Sequence, residues 1–275
     1  MTDGFLLMST KTSGTDRIAV LGGGVMGEAI ARTLVQAGWV VVVAEKRAER
    51  AEQLRDLGFD VTDPRTAVSN ADVVVIVVKP QDVRALLTEL QGHVRPGALV
   101  ISIAAGITTQ TIEAALPGTA VVRAMPNTPA RIQQGVTAVS AGSSCGAVAL
   151  DRAAQLLGSL GLVLVLPERL QDAATAVSGS GPAYVFYLAE AMLQAAEELG
   201  LPSDQARQAV VQTLVGAAAL LAGSTQTPEQ LRTQVTSPGG TTAAAVAVLD
   251  SQSVRDSVVA ALRAARDRAE ELAGS

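Results

Sequence analysis

A chain of 275 residues, 48% of them hydrophobic, can bury one large core or two smaller ones, which sets aside a disordered or fibrous protein. A formal charge of -5 leaves no basic surface to neutralise nucleic-acid phosphates or to coat an anionic membrane, so neither partner is expected. The single cysteine, Cys145, forms no intrachain disulfide and no cysteine-rich metal site, and it fits a reducing, cytoplasmic compartment.

Residues 1–16 read as a flexible tail. Phe5-Leu6-Leu7-Met8 has no basic residue before it and is too short for a signal-peptide core, and Met8 is an alternative start. From Arg17 short β-branched runs alternate with helical stretches. Strands are expected at 18–21, 40–43, 73–78, 99–103 and 120–122, then at 136–139 and 162–166 around a helix over 147–159. Such short, nearly continuous Val and Ile runs suit strands covered on both faces, so residues 17–167 read as a doubly wound α/β domain.

The first strand runs into Gly22-Gly23-Gly24-Val25-Met26-Gly27, where Gly22, Gly24 and Gly27 satisfy G-x-G-x-x-G. That spacing allows a tight turn, close approach of backbone to a pyrophosphate, and contact between strand and helix. A helix pattern over 25–37 and a second strand ending at Ala44-Glu45 supply the context that makes this loop a dinucleotide site. The alternative is a Gly-rich turn in another α/β fold. Glu45 stands where an acid would accept hydrogen bonds from the ribose 2′-hydroxyl of NADH. Lys46 and Arg47 could instead pair with the 2′-phosphate of NADPH, or could simply be solvated.

After Pro167 the pattern becomes helical. Ala- and Leu-rich segments over 183–199, 203–222, 241–249 and 254–272 are separated by Gly, Ser and Pro punctuation, giving an all-helical domain over 168–275. Its aromatic residues fall in Tyr184-Val185-Phe186-Tyr187 alone. The uncharged run from Gln208 to Pro228 is interrupted by polar and turn-forming residues, whereas a membrane span needs about 20 predominantly apolar ones. A buried helix is expected there. Helices apolar around most of their circumference need cover, and a homodimer through this domain supplies it.

Oxidation of a hydroxyl requires proton transfer, usually by His or Lys. The one histidine, His93, lies in a loop that feeds a strand and reads as a surface residue; Lys11, Lys46 and Lys79 all fall in the first third. The helical domain therefore has neither residue type. Reduction of a C=N bond demands less, because a ring nitrogen can be protonated before hydride arrives, and positioning and electrostatics then suffice. Thr236-Ser237-Pro238-Gly239-Gly240-Thr241-Thr242 opens a helix and offers backbone amides at its positive end as a carboxylate cradle, the alternative being an ordinary side-chain N-cap. Val177-Ser178-Gly179-Ser180-Gly181-Pro182-Ala183 reads by default as a kink and a helix start, and secondarily as cleft lining.

With the glycine loop, Val78-Lys79-Pro80, Ser102-Ile103-Ala104-Ala105-Gly106, Arg123-Ala124-Met125-Pro126-Asn127-Thr128-Pro129, Val177–Tyr184 and Thr236–Thr242 in this order, the chain resembles the pyrroline-5-carboxylate reductase family from Arg17 onward. The resemblance implies an α/β Rossmann-like domain followed by a helical dimerisation domain, and a homodimer that can assemble into a larger ring. It implies reduction of 1-pyrroline-5-carboxylate to L-proline, the last step of proline biosynthesis, with NADPH as cofactor and NADH as the alternative. Cofactor contacts carried over are Gly22, Gly24, Val25, Met26, Gly27, Lys46, Arg47, Val78, Lys79, Ala105 and Asn127. Substrate contacts are Glu168, Ser237, Gly240, Thr241 and Thr242, with Thr242 facing the ring nitrogen as the catalytic hydroxyl. Glu168 reads equally well as a helix N-terminal glutamate, Asn127 as a turn residue, and Asn127 and Pro129 together as shapers of the nicotinamide pocket. No metal is implied. The rivals are a reductase of the six-membered imine acid, a non-catalytic dinucleotide sensor, and a structural dimer with a vestigial nucleotide site.

Overall fold

The computed structural model describes residues 16–274. The expected tail lies outside the described residues except for Asp16, which is held in an ion pair with Arg152 (2.7 Å) just before the first strand.

The strands are β1 (Arg17–Leu21), β2 (Val40–Ala44), β3 (Asp60–Thr62), β4 (Val73–Ile76), β5 (Leu99–Ser102), β6 (Ala120–Pro126), β7 (Gly135–Ala141) and β8 (Gly161–Val165). They form one sheet in the order β3-β2-β1-β4-β5-β6-β7-β8. The helices between them are α1 (Val25–Gln36), α2 (Ala48–Asp56), α3 (Pro64–Ser69), α4 (Pro80–Leu90), α5 (Thr109–Ala115) and α6 (Ala147–Gly158). Successive strand residues point to opposite faces. Ile18, Val20, Val73 and Val75 pack with Ile30 of α1, Leu54 of α2 and Leu157 of α6. Their neighbours Ala19, Leu21, Val74 and Ile76 pack with Val68 of α3, Leu87 of α4 and Ile112 of α5. Both faces are therefore dry, which is why these strands carry unbroken apolar runs; each fully buried Ile or Leu stabilises the fold by about 1.5–3 kcal/mol.

Three details depart from the sequence reading. The short edge strand β3 carries Asp60 and Thr62 and has no apolar run to betray it. β4 stops at Ile76, so Val77 and Val78 leave the ladder and become loop. β7 runs antiparallel to β6 in an otherwise parallel sheet. The connection holds only a 3-10 turn, Thr128–Ile132, whereas a parallel return needs a crossover of about a dozen residues or more.

After β8 come a 3-10 turn (Glu168–Leu170), α7 (Gln171–Ala174) and a π-helical turn (Thr175–Gly179), which pack on β6 and β7. One compact unit contains all of this, through Gly179, together with the chain from Arg268 onward; the other is Ser180–Asp267. The second unit is helical: α8 (Gly181–Glu198), α9 (Ser203–Ala222), α10 (Pro228–Gln234), α11 (Thr241–Ser251) and α12 (Val254–Gly274), whose last residues belong to the first unit. α9 occupies most of the run expected to be a buried helix, yet only Ala206 and Val210 of it are buried in the single chain. Val211, Val215 and Leu220 are exposed, as are Val185, Phe186, Tyr187 and Leu188 of α8. A handful of Ala-rich helices encloses too little volume to bury its own large side chains. Among the described residues no helix is long and apolar enough to cross a membrane.

Candidate active site

The strand order reverses at β1, with β2 on one side and β4 on the other, and ligands of such sheets sit beyond the carboxyl ends of the strands at that point. Four chain segments emerge there. The Gly22 amide donates to the Ala44 carbonyl at the end of β2 (2.9 Å), Val77 N donates to Leu21 O (2.8 Å), and Ile103 N donates to Ile76 O (3.0 Å). These bonds bring the glycine loop, Val77-Val78-Lys79 and the turn carrying Ala105 together along one edge.

Gly22 and Gly27 each have a distinct steric reason. Gly22 has φ +114, and a Cβ there would meet the Val77 and Val78 backbone at 3.1 Å. At Gly27 a Cβ would sit 1.8 Å from Gly22 O, so the first turn of α1 can close on β1 only without one. At Gly24 an added Cβ meets nothing within 4 Å among the described residues. The fold needs Gly22 and Gly27; open space lies over Gly24, where a phosphate group can approach the start of α1. Val25 is exposed and Met26 half-buried at that helix start.

Glu45 does not point at this open space as an unengaged acceptor. Its carboxylate is 7% exposed; Oε2 accepts from Gly23 N (3.1 Å) and Arg47 Nη2 (3.1 Å), and Oε1 from Arg47 N (3.0 Å) and Nε (3.1 Å). Burial pushes its pKa up, but the Arg47 side chain and amide and the Gly23 amide outweigh that and hold it below the usual carboxylate value. Lys46 is exposed and paired with Glu89 (2.6 Å), and Arg47 is exposed beyond its contacts with Glu45. Arg50 donates to Gly23 O (2.7 Å) and pairs with Glu28, whose carboxyl the Arg32 and Arg50 side chains hold low. The loop is thus braced from α1 and α2, a network that no sequence pattern announces.

Val78 is half-buried, and exposed Lys79 forms the extended N-cap of α4 ahead of Pro80. Ala105 lies in a turn with Gly106 at φ +74. Asn127 follows β6 and is buried, with both ends of its amide engaged: Oδ1 accepts from Val136 N (2.9 Å) and Nδ2 donates to Ser178 O in the π-helical turn (3.0 Å). Those partners fix the amide's orientation and make Asn127 a clamp between three segments; its other reading, as a turn residue, understates this. Pro129 opens the 3-10 turn that follows.

Glu168, expected at the substrate or as a helix N-terminal glutamate, opens the 3-10 turn after β8 and is bonded within the first unit. Its oxygens accept from Thr109 N (2.8 Å) and Thr109 Oγ1 (2.6 Å), and Arg123 lies 3.5 Å away.

In the second unit, Ser237-Pro238-Gly239-Gly240 forms a turn closed by Gly240 N donating to Ser237 O (3.0 Å), with Gly239 at φ +71. Pro at the second and Gly at the third position suit that turn. A Cβ on Gly240 would lie 2.6 Å from Ser237 Oγ. Gly240 is the N-cap of α11, and among the described residues no side chain caps the helix. The amides at Thr241 and Thr242 therefore keep their donor capacity at the positive end of an eleven-residue helix. Thr241 is exposed and Thr242 half-buried.

A Gly-rich loop at the switch point of a doubly wound sheet, in one chain with a helical unit, defines a nucleotide-dependent oxidoreductase. Residues 168–272 match the family model for pyrroline-5-carboxylate reductase dimerisation, and 17–106 match that for NADP oxidoreductase, coenzyme F420-dependent. Pyrroline-5-carboxylate reductases of Pseudomonas aeruginosa and Synechocystis are 41% and 39% identical to the chain, over 94% and 93% of it and 97% and 98% of their own length. The solved structure of the enzyme from Coxiella burnetii superposes with a TM-score of 0.86 at 37% identity, covering 94% of this chain and 99% of that one. The chain belongs to the pyrroline-5-carboxylate reductase family.

Proposed function

We propose that the chain reduces the C=N bond of 1-pyrroline-5-carboxylate to give L-proline, the last step of proline biosynthesis, at the expense of NAD(P)H. The observation that carries this reading is the uncapped start of α11, in a helical unit with neither Lys nor His, within a chain similar over nearly its full length to reductases of that substrate. A reduced nicotinamide dinucleotide, when bound, supplies the hydride. Gly22, Gly24, Val25, Met26 and Gly27 seat its pyrophosphate, and Val78, Lys79 and Ala105 line its course along the strand ends. Asn127 shapes the nicotinamide end by holding β6, β7 and the π-helical turn together.

For the adenosine end we favour NADPH over NADH. Glu45 is committed to Gly23 and Arg47, so its capacity to take ribose hydroxyls is spent, while Lys46 and Arg47 are exposed beside it. The Ser237, Gly240, Thr241 and Thr242 segment receives the substrate carboxylate on backbone amides, and the Thr242 hydroxyl bonds the ring nitrogen, which arrives protonated or gains its proton as hydride reaches the adjacent carbon. We assign Glu168 to Thr109 and Arg123, its partners in the structure, ahead of the substrate. On this reading residues 17–167 carry the cofactor, residues 168–275 hold substrate and dimerise, and dimers join into a ring. A reducing cytoplasmic setting suits the single cysteine.

The test is initial-rate kinetics with 1-pyrroline-5-carboxylate and each reduced cofactor, beside the six-membered imine acid. Expected are oxidation of NADPH only when the five-membered imine is present and, in Thr242→Ala, a fall in turnover of about a hundredfold with unchanged cofactor binding. Cofactor binding without imine-dependent oxidation at any pH would defeat the reading.

A further inference from the structure

The Arg123, Glu168, Asp172 and Thr109 cluster has no part in the chemistry proposed above, yet it holds a buried guanidinium. Arg123 sits mid-strand in β6 with its side chain 6% exposed, 3.1 Å from Asp172 and 3.5 Å from Glu168. A buried guanidinium is tolerated only when carboxylates surround it, and here both come from the short segment after β8. Glu168 then spends both its oxygens on one residue of another loop. Oε1 accepts the Thr109 amide and Oε2 the Thr109 hydroxyl, and Thr109 is itself buried.

Thr109 is the first residue of α5, so its amide is one of the donors that the helix cannot satisfy internally. The local cap, Thr108, serves Thr111 instead. Glu168 is therefore a second, tertiary cap on a seven-residue helix too short to hold itself together in water. The turn that enters α5 carries Ala105. At its start it is pinned by Ile103 N to Ile76 O (3.0 Å) and by Ala104 N to Ser102 Oγ (3.3 Å). At its far end the tie to the segment after β8 is Glu168.

We infer that Glu168 is a positioning residue for the cofactor: backed by Arg123, it holds Thr109 and thereby fixes the Ala104–Thr108 turn against the dinucleotide. This rests on the proposal that the Ala105 turn meets the cofactor. The carboxylate of Glu168 neutralises Arg123 on one side and grips the turn on the other, so loss of either bond loosens the turn without touching a ligand.

The test uses the full chain, with NADPH affinity measured by fluorescence titration apart from turnover, and with KM for 1-pyrroline-5-carboxylate determined in parallel. Thr109→Val and Glu168→Gln are each expected to raise the NADPH Kd about five-fold or more, and Thr109→Ser to return it to within about twofold of the parent. The double variant Thr109→Val, Glu168→Gln should be little worse than either single one, because both cut the same tie. Unchanged NADPH Kd in both single variants, with only a lower Tm, would overturn the inference and leave a purely structural cluster. A raised imine KM in Glu168→Gln with normal NADPH affinity in Thr109→Val would also overturn it and place Glu168 at the substrate. A parent chain that binds neither reduced dinucleotide would overturn the functional reading beneath it, a result distinct from the other two.

Discussion

At the scale of single residues, two glycines of one motif have separable duties. Gly27→Ala must force a Cβ into Gly22 O, and backbone cannot yield as a flexible side chain can, so a loss of about 2 kcal/mol or more is expected in denaturant unfolding, together with loss of cofactor binding. Gly24→Ala meets no obstacle in the ligand-free chain and has backbone angles open to any residue. Its unfolding midpoint should match the parent's while its NADPH affinity falls about tenfold or more, measured on the same preparations. A parallel loss of stability in both variants would contradict this division of labour. Glu45 gives a pH signature. Its folded pKa lies below the ordinary value of 4.5, so the stability it adds is fully present above that value and is lost as pH falls through the folded one. The stability difference between the parent and Glu45→Gln should accordingly be constant from neutral pH down to about pH 5 and close in more acid solution, as read by urea unfolding at each pH.

At the scale of elements, the tie between the sheet and the π-helical turn depends on hydrogen bonds made by a side chain. A π-helical turn is wider than an α-helix and disrupts the regular ladder, and Ser178 O is taken by Asn127 rather than by the helix. Asn127→Ala would leave Ser178 O and Val136 N without this partner in a half-buried setting, at a cost of about 1–2 kcal/mol. Asn127→Asp, which can still accept from Val136 N but cannot donate to Ser178 O, should lose a comparable amount at neutral pH. Thermal unfolding of the two variants checks this. Equal stability of Asn127→Ala and the parent would show that water replaces both bonds.

At the scale of the whole molecule, the helical unit cannot be understood as a single chain. Tyr187 is 76% exposed and Phe186 61% exposed on a helix with no buried residue, whereas the sheet unit has fully buried large side chains such as Ile18, Leu34, Leu87 and Ile101 at its core. An apolar surface of that extent marks an interaction face, in keeping with the dimerisation family that residues 168–272 match. The melting temperature should rise with protein concentration, since association stabilises the folded form by mass action. Phe186→Glu combined with Tyr187→Glu should shift the sedimenting species to a smaller one and lower the Tm, whereas a concentration-independent Tm would argue that these residues are covered in some other way.

The local chemistry of the chain determined a good deal by itself. Short Val and Ile runs specify strands because such residues fill a pleated surface covered on both sides, Gly22-x-Gly24-x-x-Gly27 specifies a tight turn with no room for a side chain at its two ends, and Ser237-Pro238-Gly239-Gly240 specifies a turn into a helix start. The absence of Lys and His from the helical domain steered the chemistry toward an imine. What the tertiary structure decided are the matters of partner choice. A carboxylate reads alike whether it faces ribose, substrate, a guanidinium or an amide, and only folding showed that Glu45 binds its neighbour Arg47 together with distant Gly23, and that Glu168 binds Thr109, far away in the chain. Strand direction at β7 and the exposure of α9 were likewise beyond the sequence pattern, because a period of apolar residues records that a face is to be covered and carries no record of what covers it.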